Sequence, residues 1–284
     1  MPILSDVQLA AWDRDGYLVL EDFADPNDCD ALKDHVTRLL RVADPRVDGG
    51  LTVFDTNAQN HAQDEYFLTS GDTIRWFLED GAVVDGELTR PLELAVNKLG
   101  HAMHDLDPHF DRFSRTPELA ALAADLGVVQ PLLLQSMYIF KQPGIGGEVT
   151  CHCDHTFLWT EPQSVIGLWF AIEDATLENG CMWVAPGHHR SAARTRFRLT
   201  APGAVSTTTD VLDPKPWPTE DLMPVPVDQG TLIALHGTLP HWSAPNTSQV
   251  SRHAYTLHLI DAEAEYLADN WLQRGPEMPL RGFG

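Results

Sequence analysis

The chain has 284 residues and a formal net charge of −22, from 19 Lys and Arg against 41 Asp and Glu. A surface this acidic repels phosphate backbones and anionic lipids. We therefore expect neither nucleic acid nor an anionic membrane as a partner. A hydrophobic share of 43% supports a substantial core. No apolar run reaches the roughly 18 residues of a membrane-spanning helix. The length allows one large domain or two small ones.

The first residues carry neither the basic nor the apolar segment of a secretory signal. The chain has four cysteines. Two of them, Cys151 and Cys153, flank a candidate metal ligand, which suits a reducing compartment better than a disulfide framework. We therefore expect a cytoplasmic protein.

The front of the chain predicts short helices around one strand. Ser5 and Gln8 form a capping box for a first helix, which Gly16 ends. A strand is predicted over 17–20, and a second helix begins at Pro26.

The next part of the chain alternates between polar and apolar segments. Residues 44–72 are polar and predict a long loop. Residues 74–78 predict β structure, and 91–126 a helical region that would place Lys98 on a helix.

From residue 131 onward the pattern becomes short strands separated by turn residues, with a second long loop over 201–224. The predicted strands are 133–141, the segment at His152, 165–172, 182–184, 231–236, 241–242 and 252–260. Such spacing predicts a sandwich or barrel. We expect a single, mainly β domain over 1–284. Its core over 131–284 would be a jelly roll (a cupin-like double-stranded β-helix), buttressed by helices within 1–130.

His152-Cys153-Asp154 is the candidate centre. On an extended chain alternate side chains point the same way, so His152 and Asp154 would lie side by side. They supply two thirds of a 2-His-1-carboxylate facial triad for Fe(II). The third ligand should be a downstream histidine, and His241 is the best candidate.

Arg252 is the candidate anion-binding residue. Such a triad leaves adjacent metal positions open for a 2-oxo acid and O2. The far carboxylate of 2-oxoglutarate needs a cation, and the planar fork of arginine pairs with it through two hydrogen bonds. A hairpin through Pro245-Asn246 would return Arg252 to the strand beside His241.

Several stretches together form a more specific pattern. They are 15–20, 97–101, Gln135 to Pro143, His152-Cys153-Asp154, Glu173 to Cys181, Pro186-Gly187-His188-His189, His236-Gly237 with His241, and Asn270 to Gln273. In these stretches, which span nearly the whole chain, the sequence resembles the phytanoyl-CoA dioxygenase family.

The resemblance implies an Fe(II)- and 2-oxoglutarate-dependent oxygenase that uses O2 and acts on a small molecule. The implied iron ligands are His152, Asp154 and His241. The residues implied to bind 2-oxoglutarate are Arg252, Lys98, Met137 and Trp169. The chain departs from the family pattern at His188, where serine is usual, and at Cys153, where glutamine is frequent. Both departures leave the triad intact.

The sequence alone allows other interpretations of these residues. His236 competes with His241, although it lies further from Arg252 than the family pattern has. Met137 and Trp169 could be core residues of a barrel wall, and Lys98 a surface lysine whose stem covers apolar groups. The same triad could serve a zinc hydrolase, which would not need Arg252, or a non-catalytic metal-binding or sensing jelly roll.

The two long loops, 44–72 and 201–224, are expected to cover the barrel mouth. Together they hold ten carboxylates against one arginine and one lysine. Such an entrance repels the polyphosphate of coenzyme A. We therefore expect hydroxylation of an unactivated C–H in a small, largely apolar, neutral or cationic molecule, with release of succinate and CO2.

Overall fold

The computed structural model describes residues 2–44, 51–53 and 65–284. Within those residues the α-helices all lie in the front half of the chain. They are α1 (Asp6–Asp15), α2 (Pro26–Val42), α3 (Glu65–Leu68), α4 (Met103–Leu106), α5 (Pro108–Ser114) and α6 (Pro117–Asp125). None of these helices is long and apolar enough to cross a bilayer.

The β-strands continue to the end of the chain. They are β1 (Tyr17–Leu20), β2 (Ile74–Leu78), β3 (Val83–Val84), β4 (Glu87–Leu88), β5 (Val96–His101), β6 (Pro131–Ile139), β7 (Val149–His152), β8 (Thr160–Glu161), β9 (Ile166–Ala171), β10 (Met182–Val184), β11 (Thr195–Leu199), β12 (Thr207–Val211), β13 (Met223–Val225), β14 (Leu232–His236), β15 (His241–Ser243), β16 (Ala254–Asp261) and β17 (Glu265–Tyr266).

Two antiparallel sheets form the body of the fold. The larger has seven strands in the order β1-β14-β9-β16-β6-β5-β2, and the smaller has four in the order β13-β10-β15-β7. Apolar residues of β9, β14 and β16 share one buried cluster with residues of β10 and β13. The two sheets therefore pack face to face, and the predicted jelly roll with flanking helices is confirmed.

Strand β9 shows how the two faces of the larger sheet differ. Trp169 and Ala171 belong to the cluster between the sheets. Leu168 and Phe170 point the other way, into the cluster that the N-terminal helices cover. Both faces are buried, so this central strand is apolar throughout and does not alternate with polar residues.

The predicted start of the chain is confirmed in detail. Ser5 and Gln8 form the capping box of α1, and Gly16 ends that helix with φ of 79°, a left-handed conformation that favours glycine. Pro26 opens α2 behind an Asp25 cap. Strand β1 then pairs with β14 at the edge of the larger sheet.

Three predictions for the chain path are wrong. Residues 96–101 form a strand that pairs with β2 and β6, so Lys98 lies on a strand. Hydrogen bonding on both sides overrides the helical pattern of this apolar segment. In the second loop, 207–211 pairs with 195–199 as a hairpin. Strands β15 and β16 belong to different sheets, so Arg252 is not returned by a hairpin.

The first predicted loop, 44–72, can be compared only in part. Residues 45–50 and 54–64 lie outside the described residues. Its last part contains α3, where Phe67 is buried and stacks on Trp271 with ring centroids 4.2 Å apart.

A buried charge network ties the helices to the C-terminal tail. The side chain of Asp105 is 2% exposed and accepts hydrogen bonds from Arg115 at 2.6 Å and Arg281 at 2.9 Å. It also forms an ion pair with Arg274 at 3.1 Å. Burial alone would raise the pKa of Asp105, but His104 and the arginines hold it well below its usual value. Arg274 also donates to the Leu134 carbonyl of β6, so the network reaches the larger sheet.

We expect Asp105→Asn to lower the free energy of unfolding by about 3–5 kcal/mol, because it leaves buried guanidinium groups without their counter-charge. Urea unfolding measures the change. Asp111→Asn is the matched control, since that carboxylate also pairs with Arg115 but its side chain is 43% exposed, and its loss should cost less than about 1 kcal/mol. Similar losses in the two variants would contradict the role of burial.

Candidate active site

Three potential metal ligands meet between the sheets. His152 ends β7, Asp154 opens a single 3-10 turn over 154–156, and His241 begins β15. Their ligand atoms all lie within 4.8 Å of one another. Among the described residues this is the one group of three or more His, Cys, Asp or Glu side chains placed to hold a metal ion.

Local backbone geometry and strand register bring these residues together. Cys153 is extended, with φ of −128° and ψ of 151°, so the side chains on either side of it point the same way. His241 is the register partner of His152 across β15 and β7. The two imidazole rings lie 4.3 Å apart between centroids.

Both histidines have the tautomer that a metal requires. His152 Nδ1 lies 2.7 Å from the Thr150 carbonyl and His241 Nδ1 lies 3.0 Å from the Leu239 carbonyl. A carbonyl only accepts, so each Nδ1 carries the proton and donates, and each Nε2 keeps its lone pair. Burial, and then the neighbouring His241, lower the pKa of His152 to about 4. That imidazole is therefore neutral at physiological pH.

The Asp154 carboxylate lies in a space that a glycine provides. A Cβ added at Gly167 of β9 would lie 2.5 Å from Asp154 Oδ2. Burial alone would raise the pKa of Asp154, but His258 and His241 hold it well below its usual value. Asp154 Oδ1 lies 3.6 Å from His241 Nε2, beyond hydrogen-bonding distance. A buried ionised carboxylate next to two imidazole Nε2 atoms suits a metal ligand.

Arg252 is a buried cation next to the strand that lies against Asp154: it contacts Trp169, and Trp169 follows Gly167 by two residues on β9, on the same face. Arg252 is 3% exposed, its backbone N–H donates to the Lys141 carbonyl, and its guanidinium lies 5.4 Å from the centre of the Trp169 ring. Burial lowers the pKa of Arg252 to about 10, so it remains charged at neutral pH. Its Nε and one terminal nitrogen have no hydrogen-bond partner in the described part of the chain. A buried cation of this kind needs an anion.

Met137 and Lys98 lie on the face of the larger sheet that carries Trp169. Met137 and Trp169 are both register partners of Thr256, from the two strands that flank β16. Lys98 is buried, with its ammonium 5.4 Å from the Phe77 ring centre. Burial lowers the pKa of Lys98 to about 7, although the carboxylate of Glu79 opposes the shift.

Arg252 is the buried cation near this face that stays charged at neutral pH. Lys98, Lys141 and Arg252 each interact electrostatically with Glu79, and all four groups are buried. Burial lowers the pKa of Lys141 to about 6 and that of Arg252 only to about 10. A carboxylate bound here would pair with the guanidinium of Arg252.

The competing and neighbouring histidines have other partners. His236 Nδ1 lies 2.8 Å from the Thr238 hydroxyl, and its ring packs against His189. His188 forms an ion pair with Asp221. His155 stacks on Trp159 with ring centroids 4.0 Å apart. None of the four histidines belongs to the triad group found in the described residues.

Two residues next to Asp154 did not emerge from the sequence analysis. Gly167 supplies its space, and His258 Nε2 lies 3.4 Å from Asp154 Oδ2. Strand parity could have identified His258, because alternate residues of one strand share a face and His258 follows Thr256 on β16. Nothing in the local sequence singles out Gly167.

Comparison with known proteins agrees with this geometry. Residues 12–254 match the family described as phytanoyl-CoA dioxygenase. A phytanoyl-CoA dioxygenase of Arabidopsis thaliana is 42% identical over 278 residues, which cover 97% of this chain and 95% of the relative. The phytanoyl-CoA dioxygenase domain-containing protein 1 of Danio rerio is 40% identical over 287 residues, covering 99% and 98%. The chain belongs to the phytanoyl-CoA dioxygenase family.

A solved structure shares the fold of this family member. The non-haem alpha-ketoglutarate-dependent carbocyclase SnoK from nogalamycin biosynthesis aligns with a TM-score of 0.65 over 98% of this chain and 96% of that chain, at 20% identity. The family member is a 2-oxoglutarate-dependent non-haem iron dioxygenase whose cofactors are Fe(II), 2-oxoglutarate and O2. The two Nε2 lone pairs, the buried Asp154 carboxylate and the buried guanidinium fit those groups chemically.

We expect Gly167→Ala to weaken divalent-metal binding about tenfold or more, because its methyl group would overlap the carboxylate oxygen of Asp154. Anaerobic titration with Co(II) measures the affinity. Gly147→Ala is the control, since a Cβ there would have its nearest contact at 3.6 Å, an ordinary distance. Wild-type affinity in Gly167→Ala would show that the carboxylate does not need this space.

Proposed function

We propose that this dioxygenase hydroxylates an unactivated C–H of a small, largely apolar molecule, with His152, Asp154 and His241 as its iron ligands. The observation that carries the proposal is the triad within 4.8 Å, together with the buried cation Arg252 against Trp169 on the strand that also lies against Asp154. The iron with 2-oxoglutarate and O2 supplies the oxidation, in which the cosubstrate is converted to succinate and CO2. The protein supplies geometry, charge and the exclusion of water.

In this proposal the iron ligands act through their fixed orientation. Carbonyl acceptors hold each imidazole with Nε2 towards the metal position, so little reorganisation is needed on binding. Asp154 contributes the single negative charge among the three. A facial arrangement leaves neighbouring positions for the 2-oxo acid and for O2.

Arg252 binds the far carboxylate of 2-oxoglutarate in this proposal. The fork of a guanidinium can donate two parallel hydrogen bonds to a carboxylate. The Trp169 ring lies against the guanidinium, and Met137 on β6 adds apolar wall. Lys98, whose pKa burial lowers to about 7, lies on the same face of the sheet. The charged fork of Arg252 supports 2-oxoglutarate, whose far carboxylate it can bind.

The rival functions explain less of the site. A zinc hydrolase needs only a metal-bound water at the triad, and the two unpartnered nitrogens of the buried Arg252 would then have no acceptor. A non-catalytic metal-binding jelly roll leaves the same cation unexplained. The proposal accounts for the triad and the arginine together.

We expect Arg252→Ala to raise the Kd for 2-oxoglutarate by about 10²-fold or more while leaving anaerobic Co(II) affinity within a few-fold of wild type, because it removes a buried charge-assisted pair. Arg252→Lys should recover only part, since an ammonium cannot form the planar fork. Calorimetry of the metal-loaded protein measures both constants. Arg198→Ala, which removes a partner of Asp210 on the β11–β12 hairpin, is the control. Unchanged 2-oxoglutarate affinity in Arg252→Ala would remove Arg252 from the cosubstrate site.

An apolar wall beside the triad supports an apolar substrate. The Phe157 ring lies 5.7 Å from the His152 ring and 5.7 Å from the Phe197 ring of β11, between centroids. Phe157 is 36% exposed, although it is a large apolar residue next to a metal centre. An exposed aromatic group in this position gains from covering by an apolar ligand.

The charges on the β11–β12 hairpin argue against coenzyme A, the group named in the relatives. Strand β11 and the residue before it carry three arginines, which could bind phosphates if they were free. Each is paired with an aspartate: Arg194 with Asp213 at 2.8 Å, Arg196 with Asp269 at 2.5 Å and Arg198 with Asp210 at 2.5 Å. A polyphosphate would have to displace these carboxylates on a chain of net charge −22.

We expect small uncharged lipophilic compounds to stimulate succinate formation more than CoA thioesters of the same acyl bodies, most clearly at low salt, where like-charge repulsion is strongest. The measurement is succinate formed per hydroxylated product across a matched panel of free compounds and thioesters. Phe157→Ala should raise KM for the apolar substrate and increase succinate formed without product. Faster coupled turnover of the thioester would contradict the substrate class and leave the enzyme class intact.

A further inference from the structure

The Asp154 carboxylate lies between two imidazoles that approach different oxygens. His241 Nε2 lies 3.6 Å from Oδ1, and His258 Nε2 lies 3.4 Å from Oδ2. His241 comes from the smaller sheet and His258 from the larger one. The two oxygens of the carboxylate therefore face chemically different surroundings.

Strand pairing in the larger sheet fixes the position of His258. His258 on β16 is the register partner of Gly167 on β9, the glycine over which the carboxylate lies. A Cβ at Gly167 would be 2.5 Å from Oδ2 and 3.6 Å from the His258 ring. The missing side chain leaves room for Oδ2 beside the His258 ring, and both strands are buried.

His258 has no competing role among the described residues. Its Nδ1 has no hydrogen-bond partner there, and the ring is not in the triad group. It is nevertheless a buried polar side chain, 6% exposed, on a strand where every residue is buried. Burying an imidazole costs free energy unless it gains a partner, and the nearest anion is Asp154 Oδ2.

We propose that His258 is a positioning residue that donates its Nε2 proton to Asp154 Oδ2 and so restricts Asp154 to metal binding through Oδ1. The inference rests on the proposed iron site. A carboxylate that bound through both oxygens would occupy a further metal position, one that 2-oxoglutarate or O2 needs. Holding Oδ2 away from the metal keeps that position open, and outer partners of this kind also stabilise the bound ligand.

Two substitutions of similar polarity test the donor atom. The amide nitrogen of Gln reaches about as far as histidine Nε2, whereas that of Asn reaches only about as far as Nδ1. We expect His258→Gln to keep Co(II) affinity within a few-fold of wild type, and His258→Asn and His258→Leu to weaken it by about 10–100-fold. The visible absorption bands of the anaerobic Co(II) protein report coordination number. They should change in the His258→Asn and His258→Leu variants and be retained in the His258→Gln variant. Adding 2-oxoglutarate should alter the bands of the wild type and the Gln variant more than those of the Asn and Leu variants.

The controls separate this inference from the proposed function. His104→Gln replaces a buried histidine of α4 that contacts Ser136 and Asp105 and reports the general cost of such a change. His152→Ala should abolish Co(II) binding. Wild-type Co(II) affinity and spectra in His258→Asn would overturn the inference. A loss of Co(II) binding in His258→Gln as complete as in His152→Ala would also overturn it, because it would mark His258 as a direct ligand. Failure of the wild-type protein to bind Co(II) would contradict the proposed iron site itself.

Discussion

The antiparallel pairing of β15 with β7 is the constraint on which the site depends. It sets His241 directly opposite His152, and the carbonyl groups two residues before each histidine fix both rings. Both strands belong to the smaller sheet, whose inner face packs on the larger one. A shift of one residue in this register would turn His241 to the other face. The apolar contacts between the sheets oppose such a shift, so the core and the site depend on the same alignment.

The larger sheet contributes the buried charged groups near the site. Its inner face carries Trp169, Met137 and Lys98, and Arg252 precedes its strand β16. Buried cations are costly unless an anion accompanies them. Glu79 is a carboxylate that Lys98, Lys141 and Arg252 share, and burial lowers the pKa of both lysines. In the proposed function, the two unpartnered nitrogens of Arg252 gain a carboxylate from 2-oxoglutarate.

The two sides of the proposed site differ in chemical character. Buried charged groups lie on the side of the larger sheet, whereas the Phe157 ring lies against His152 and the Phe197 ring against Phe157. The arginines of the nearby hairpin are each paired with an aspartate. In the proposed function, Arg252 binds the cosubstrate and the aromatic rings contact the substrate. A strongly acidic chain can then bind a dianion, because Arg252 is buried away from the surface carboxylates.

The sequence by itself determined the features that depend on neighbouring residues. The capping box at Ser5, the end of α1 at Gly16 and the common side of His152 and Asp154 all follow from local backbone geometry. The strand content of the second half, and with it the jelly roll, follows from regularly spaced turns. Family resemblance supported His241 and Arg252, which the residues had already suggested, and added Lys98, Met137 and Trp169.

Only the tertiary structure decided which distant segments meet. Residues 96–101 look helical from their apolar content, yet pairing on both sides makes them a strand, because hydrogen bonds to β2 and β6 outweigh a weak local preference. The segment from His241 to Arg252 crosses from one sheet to the other. Its turn residues are the same as those of a hairpin, so the sequence does not distinguish the two paths. The roles of Gly167 and His258 exist only through the pairing of β9 with β16. The role of Gly167 cannot be predicted from its neighbours in the sequence, because the carboxylate that fills its space comes from another segment of the chain.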